Sequence, residues 1–207
     1  SFLSKVLEKV AAARLLAHVE EHNLHEPLQS AYKSHHSTET ALLRVQNDIL
    51  RNIDSKHGTV LVLLDLRAAF DTIDHDILFD LLENRLGIVD TALAWFKSYL
   101  SNRTQSVMID DESSSPVTLK FGVPQGSVLG PLLYTIYTLP LGDLLRQYGI
   151  SYHPYADDTQ LYLAFDPSAS DSYKTCINSL EKCVETVKSW MTRSKLKLNG
   201  EKTEIVV

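Results

Sequence analysis

The segment GTVLVLLDL at residues 58–66 restricts the fold more than any other part of the sequence. Its residues favour a β-strand, and apolar side chains occupy both faces of that strand. Such a strand belongs in the centre of a sheet that is covered on both sides. Asp65 lies at its end, where an unpaired carboxylate would cost several kcal/mol unless it is exposed, paired or bound to a metal.

The rest of the chain mixes helical and strand-like patterns without a regular order. Apolar residues near a 3.6-residue period predict helices over about 4–22, 38–54, 75–86, 90–101, 131–147 and 169–193. Alternating residues predict a hairpin from TQSVMID to SPVTLKF, two strands in ISYHPYA and TQLYLAF, and a turn between short strands in LKLNGEKTEIVV. We therefore predict an α+β fold.

Composition limits the class of protein. Of the 207 residues 44% are hydrophobic, which is enough for one substantial core or for one core with a small lobe. No apolar run approaches the roughly 20 residues that a membrane-spanning helix needs. Cys176 and Cys183 would lie about 10 Å apart on one helix, too far for a disulfide, so both are expected to be small buried or half-buried residues without a disulfide. The formal net charge of −6 argues against nucleic-acid binding on charge alone but suits a site that gathers carboxylates.

A second acidic feature is YADD at residues 155–158, where Asp157 and Asp158 are adjacent between two predicted strands. Asp-Asp is an acceptable turn pair, and a solvated turn is the simple explanation for any one of these acids. If this hairpin neighbours the strand that ends at Asp65, three carboxylates converge at one sheet edge. Hard oxygen ligands on an open edge suit Mg²⁺, and two such ions about 4 Å apart stabilise phosphoryl transfer.

Five sequence blocks together resemble one protein family. VLVLLDLRAAFDTIDHDIL, GVPQGSVLGPLLYTIY and YADD resemble motifs A, B and C of the reverse transcriptases of LINE-type (non-LTR) retrotransposons. LQSAYKSHHSTETALL resembles the fingers motif of that family, and LKLNGEKTEIVV resembles its motif D. The resemblance covers nearly the whole chain.

This resemblance implies a right-hand polymerase with an antiparallel palm sheet packed on helices. Residues of about 1–57 would be mainly fingers, and those of about 58–207 mainly palm with part of the fingers in between. Both ends look cut from something longer, so the thumb and any endonuclease domain are expected to be absent. An intracellular location, in nucleus and cytoplasm, is implied by the family only.

The resemblance also implies the reaction and its metal ions. Members of the family are RNA-directed DNA polymerases, which extend a DNA primer with dNTPs on an RNA or DNA template. Asp65 and Asp157 match its catalytic metal ligands, and Asp158 matches the second acid of motif C, whose role is more variable. The implied cofactor is a pair of Mg²⁺ ions, with Mn²⁺ as an alternative.

Five residues match nucleotide-binding positions of the family. Lys33 would hold the triphosphate, although the family more usually has arginine there and lysine lacks the bidentate fork. Phe70 would exclude a 2′-hydroxyl, Gln125 would pack beside the nascent base pair, and Gly126 would let the backbone approach the substrate closely. Lys202 would neutralise or protonate pyrophosphate.

Candidate contacts to nucleic acid are Tyr155, Lys195 and Lys197. The two lysines belong to the only notably basic stretch of the sequence, for which a solvated helix end is the simpler explanation. Asp71 belongs to the same motif as Phe70, and a cap before the next helix is at least as good an explanation for it as a catalytic role.

Three other functions are compatible with parts of the pattern. A catalytically inactive remnant of a retroelement would keep the fold and at most bind nucleic acid. A binding or assembly module would hold template and primer without needing the acids. A metal-dependent nuclease would use the acids but would leave the PQG and AAF segments unexplained.

Overall fold

The computed structural model describes residues 2–67 and 69–207, and of Arg67 it describes only the backbone. Ala68 of the AAF segment therefore lies outside the described residues. The chain forms two compact units. The first comprises Ser1–Leu24 and Phe70–Tyr137, and the second comprises His25–Ala69 and Thr138–Val207.

The elements are numbered in chain order. They are α1 (Phe2–Glu21), α2 (Thr38–Asp54), β1 (Gly58–Leu64), β2 (Leu66–Arg67), α3 (His75–Asp80) with a π-helical turn (Leu81–Arg85), α4 (Asp90–Leu100), β3 (Thr104–Gln105), β4 (Met108–Ile109), β5 (Glu112–Ser113), β6 (Val117–Thr118), α5 (Gly130–Tyr137), α6 (Leu139–Gln147), β7 (Ser151–Tyr155), β8 (Asp158–Phe165), α7 (Ser172–Arg193), β9 (Lys197–Leu198) and β10 (Glu204–Val206). Over the described residues, no helix is both long enough and apolar enough to cross a bilayer.

The second unit is built on an antiparallel sheet with the strand order β10-β1-β8-β7. Strand β1 is central, and its pairing with β8 runs from Gly58 opposite Phe165 to Leu64 opposite Thr159. Its alternate residues Val60, Val62 and Leu64 are each at most 2% exposed. The predicted inner position of this strand is thereby confirmed, whereas its burial is complete on one face only, because Leu61 and Leu63 on the other face are half-buried.

Helices α2 and α7 both contact this sheet. The hydroxyl of Tyr162 in β8 donates a hydrogen bond of 2.6 Å to Asp48 Oδ2 of α2. Cys176 of α7 donates through its thiol to the carbonyl of Leu163 in β8, at 3.6 Å. Cys176 and Cys183 are both free and buried, as the sequence predicts. Helix and sheet together give the predicted α+β class.

The first unit contains α1, α3, α4, α5 and two short ladders, β3 with β6 and β4 with β5. Its core includes Ile73, Leu78, Leu82 and Leu133, none of which is exposed to any measurable extent. The predicted hairpin is present but carries only two residues per ladder strand. Pro116, which has no backbone N–H to donate, precedes β6 and helps to explain the interruption.

One predicted helix is two helices. The periodic pattern predicts a single helix over about 131–147, whereas α5 ends at Tyr137 and α6 begins at Leu139. Pro140 accounts for the break because it lacks the N–H for the helical hydrogen bond and its ring clashes with the carbonyl of the preceding turn. The break coincides with the boundary between the two units.

Candidate active site

Asp65 lies where the chain leaves the four-stranded sheet. Leu64 before it pairs with Thr159, the second residue of β8. Leu66 after it pairs with Leu198 in the separate β2–β9 ladder. The backbone on each side of Asp65 is therefore held by a different strand pair, and the carboxylate stands between them, half-buried.

Asn199 holds Asp65 at two points. Its backbone N–H donates to the Asp65 carbonyl at 2.9 Å, and its side-chain Nδ2 donates to Oδ2 of the carboxylate at 2.6 Å. Asn199 is only 8% exposed, so this charge-assisted hydrogen bond is shielded from water. The sequence pattern does not indicate the contact, because Asn199-Gly200 is an ordinary turn pair by composition.

The acidic turn joins β7 to β8. Tyr155 pairs with Asp158, so the two turn residues are Ala156 and Asp157, and Asp158 is already the first residue of β8. The predicted turn pair Asp157-Asp158 is thus wrong by one residue. Ala156 has φ of 54°, in the left-handed region that an alanine seldom occupies.

A buried glutamine supports this strained turn. Gln29 Oε1 accepts hydrogen bonds from the backbone N–H groups of Ala156, at 3.2 Å, and of Ala31, at 2.9 Å. Next to it, the backbone N–H of Ser30 donates to the Pro154 carbonyl at 3.3 Å. The block that resembles the fingers motif therefore lies directly against the acidic turn. Gln29 is a site residue that the sequence analysis does not identify.

The three acids interact electrostatically. Partial burial raises the pKa of Asp158, and the negative charges of Asp157 and Asp65 raise it further, while the charge of Lys202 lowers it. The pKa of Tyr32 is raised by burial and then by the charge of Asp157. Negative charge is therefore concentrated at this end of the sheet, where it attracts cations.

The chemistry of these side chains suits a divalent cation. Carboxylate oxygens are the preferred ligands of Mg²⁺, and the two adjacent acids and Asp65 meet at one strand end that is open to solvent on the Asp158 side. Over the described ranges, however, no three histidine, cysteine, aspartate or glutamate side chains are grouped tightly enough to form a metal site. The ligand roles of Asp65, Asp157 and Asp158 thus stay predictions.

Lys202 and Asn199 belong to one short loop. The backbone N–H of Lys202 and the hydroxyl of Thr203 both donate to the Asn199 carbonyl, at 3.1 and 2.9 Å. The exposed side chain of Lys202 is close enough to lower the pKa of Asp158 by its charge. The loop therefore carries both the amide that holds Asp65 and a cation beside Asp158.

The other candidate residues of the second unit lie on its surface. Lys33 is exposed in a turn that is closed by a hydrogen bond of 3.3 Å from the His36 N–H to the Lys33 carbonyl. Tyr155 is half-buried beside the acidic turn, and Lys195 and Lys197 are exposed. Their contacts to nucleotide and nucleic acid stay predictions.

Phe70, Gln125 and Gly126 belong to the first unit. The Phe70 ring packs against Tyr134 with a centroid separation of 4.8 Å. Gly126 has φ of +67°, and an added Cβ would meet nothing within 4 Å. Glycine is therefore favoured at this exposed position by its backbone conformation and not by crowding.

Gln125 is paired with the acid that follows Phe70. Its Nε2 donates to both carboxylate oxygens of Asp71 at 3.0 Å. The explanation of Asp71 as a helix cap is wrong, because Asp74 is the residue directly before α3. The Asp74 side chain accepts from the backbone N–H groups of Asp76 and Ile77 at 3.0 and 3.2 Å.

Backbone contacts join the same two motif segments. Gly122 donates to the Ile73 carbonyl at 2.8 Å, and Val123 donates to the Phe70 carbonyl at 2.9 Å. Gly122 has φ of +81°, and a Cβ there would lie 2.8 Å from the Asp71 carbonyl oxygen. This close approach requires glycine. The loop that carries Gln125 is thus fixed against the segment that carries Phe70.

Comparison with known proteins gives a family match over the whole chain. A family model described as reverse transcriptase (RNA-dependent DNA polymerase) matches residues 1–207. The probable RNA-directed DNA polymerase from transposon BS of Drosophila melanogaster is 31% identical over 98% of this chain. The RNA-directed DNA polymerase from mobile element jockey of the same organism is 29% identical over 97% of it. The chain spans 22% of the length of each of these relatives.

The fold is also similar to solved structures. Telomerase from Candida albicans, in complex with the TWJ fragment of telomeric RNA, superposes with a TM-score of 0.68. The match covers 99% of this chain and 35% of that one, at 14% sequence identity. A likeness at this identity concerns the fold alone, and it confirms the predicted polymerase fold of fingers and palm.

Replacement of Asp158 by asparagine is expected to stabilise the fold at neutral pH in a chelator-containing buffer. The raised pKa means that ionised Asp158 is less favourable in the folded chain than in the unfolded one. The increase in the free energy of unfolding should be complete above the pKa of Asp158 in the folded chain. It should vanish as the pH falls below about 3.9, where the Asp158 carboxyl is protonated in the unfolded chain as well. Urea denaturation of both proteins across this pH range measures the difference.

Asp111→Asn in the turn between β4 and β5 removes the same charge from an exposed site of the first unit and serves as the control. Equal stability of Asp158→Asn and the unaltered chain at pH 7, or a gain that grows towards acid pH, would contradict the electrostatic cluster.

Proposed function

The chain belongs to the reverse transcriptase (RNA-dependent DNA polymerase) family, and on this premise we propose that it catalyses DNA synthesis on an RNA template. The resemblance to the reverse transcriptases of LINE-type retrotransposons is confirmed by the matches to polymerases of a transposon and of a mobile element. Both relatives named above are RNA-directed DNA polymerases by name.

One observation carries the proposal. The pairing of Leu64 with Thr159 brings Asp65 next to the Asp157–Asp158 turn, and the pKa of Asp158 responds to both other acids. Negative charges concentrated at a sheet end repel one another and destabilise the fold unless cations compensate them. The cations that accompany a nucleoside triphosphate would supply this compensation.

Asp65 and Asp157 would hold two divalent cations, Mg²⁺ or alternatively Mn²⁺, with Asp158 assisting. When bound, the ions would supply Lewis-acid stabilisation of the attacking and leaving oxygens. Asn199 keeps the Asp65 carboxylate in place by its 2.6 Å hydrogen bond. Lys202 offsets part of the negative charge beside Asp158.

The proposed reaction is nucleotidyl transfer. The 3′-hydroxyl of a DNA primer attacks the α-phosphorus of a dNTP, a new phosphodiester bond forms, and the bond to the β-phosphate breaks. The hydroxyl gives its proton to solvent water, and pyrophosphate leaves with the electron pair of the broken bond. Lys202 would neutralise the pyrophosphate or donate a proton to it, and Lys33 would hold the triphosphate by its charge.

Template and primer would lie across the palm and be contacted by Tyr155, Lys195 and Lys197, whose side chains are half-buried or exposed. Because the chain as a whole is acidic, this binding would depend on local basic residues and not on net charge. Gln125 would pack beside the nascent base pair. Its hydrogen bonds to Asp71 support this role by holding the side chain in one orientation.

The proposal is tested by primer extension on an RNA template with dNTPs and Mg²⁺. The unaltered chain should extend the primer, and Asp65→Asn and Asp157→Asn should each lower the rate by at least about 100-fold. Loss of a catalytic metal ligand removes several kcal/mol of transition-state stabilisation. Asp111→Asn is the control and should retain the full rate.

Template–primer binding, followed by fluorescence anisotropy in parallel, separates the other functions. Binding that persists in the acid variants together with synthesis by the unaltered chain supports the proposal. Binding without any Mg²⁺-dependent synthesis by the unaltered chain contradicts it and indicates an inactive remnant or a binding module.

Phe70→Val is expected to raise the use of ribonucleotides relative to dNTPs by about 10- to 200-fold. A shortened side chain would no longer collide with the 2′-hydroxyl, and fit differences of this size carry about 1–3 kcal/mol. Single-nucleotide incorporation with dNTP and rNTP pairs measures the ratio. Tyr134→Leu, which alters the ring that Phe70 packs on, tests whether the effect requires Phe70 itself. An unchanged ratio in Phe70→Val would refute the assignment.

A further inference from the structure

We propose that Asn199 is a positioning residue for the Asp65 carboxylate, so that metal binding at the acidic sheet end depends on its side-chain amide. The inference rests on the proposed function, since it assigns Asp65 to a cation. It concerns a residue that lies 134 positions away in the sequence and that none of the motif roles above includes.

The geometry supports positioning. Asp65 lies between the last residue of β1 and the first residue of β2 and belongs to neither ladder, so strand pairing alone does not fix the direction of its side chain. The Asn199 side chain donates to Oδ2 at 2.6 Å, while its backbone N–H donates to the Asp65 carbonyl at 2.9 Å. The same residue therefore fixes both the main chain and the carboxylate of Asp65.

The chemistry favours an amide over other donors at this position. A lysine or arginine would neutralise the Asp65 charge and would compete with a cation for it. A carboxylic acid would repel Asp65 when ionised. The neutral amide of Asn199 donates a hydrogen bond and leaves the carboxylate its full charge. Partners of this kind, which orient a metal ligand, typically change metal affinity or activity by about 10- to 100-fold when they are removed.

The loop around Asn199 makes the contact persistent. Asn199 is 8% exposed, and its carbonyl accepts hydrogen bonds from the backbone of Lys202 and from the hydroxyl of Thr203. Leaving the buried amide without its acceptor would cost about 1–3 kcal/mol, as for other buried polar groups. The backbone hydrogen bonds do not depend on the side chain and would survive its replacement.

The test compares Asn199→Ala and Asn199→Leu with the unaltered chain. Both variants remove the amide and keep the backbone N–H, and leucine also fills the volume that alanine would leave empty. Binding of Mn²⁺ alone is measured from the free-ion signal in electron paramagnetic resonance. We expect the affinity for Mn²⁺ to fall by about 10- to 100-fold in both variants.

Primer extension over a range of Mg²⁺ concentrations gives a second readout. The half-saturating concentration of Mg²⁺ should rise in both variants, and the rate should recover at high Mg²⁺. The control is Asn84→Ala, which removes an exposed amide that donates to the Asp80 carboxylate at 2.7 Å, so it deletes the same kind of hydrogen bond in the first unit.

The outcomes separate the two proposals. A Mn²⁺ affinity within about twofold of that of the unaltered chain in both variants would overturn the positioning role. Loss of folding in both variants would overturn it too, because it would indicate a structural role for Asn199. Reduced synthesis with unchanged Mg²⁺ dependence would overturn it as well. Failure of the unaltered chain to bind Mn²⁺ or to synthesise DNA would instead contradict the proposed function, and the positioning role with it.

Discussion

The register between β1 and β8 is the constraint on which the rest of the site depends. Seven residue pairs join these strands, from Gly58 with Phe165 to Leu64 with Thr159. A slip by one residue would turn Val60, Val62 and Leu64 from the core to the opposite face. Because their burial fixes the register, it also fixes which residues meet at the end of the strands. The acids are therefore placed by apolar side chains that have no chemical role.

The acidic end of the sheet shows a conflict between stability and function. Burial and two neighbouring charges raise the pKa of Asp158, so the folded chain holds this charge at some cost. The charge of Lys202 offsets part of that cost at Asp158, and the amide of Asn199 stabilises the neighbouring Asp65 carboxylate by a hydrogen bond. Ala156 adds backbone strain at φ of 54°, and the buried Gln29 supports it. Strain and repulsion concentrated at one point are typical of a functional site.

The sequence allows some of this arrangement to be predicted, and the limit is set by distance along the chain. An apolar run that ends in an acid suffices to predict strand β1 and the position of Asp65 at its end, since both signals are local. The turn residues Ala156 and Asp157 are displaced by one from the predicted pair, because an alanine at positive φ has no local signature. Contacts between remote segments also have no local signature in the sequence. Examples are the hydrogen bonds of Asn199 to Asp65 and of Gln125 to Asp71. The break between α5 and α6 at Thr138 does have a local signal, Pro140. The helical apolar period continues on both sides of Pro140, however, and therefore predicts one uninterrupted helix.

The central claim is that Asp65 and the acidic turn bind cations together, and anomalous X-ray scattering tests it most directly. Crystals of the chain grown or soaked with Mn²⁺ should show an anomalous difference peak within coordination distance of carboxylate oxygens of both Asp65 and Asp157, at about 2.0–2.4 Å. The peak should be lost in crystals of Asp157→Asn. Ordered Mn²⁺ bound only elsewhere on the chain, with both carboxylates free of metal, would contradict the account.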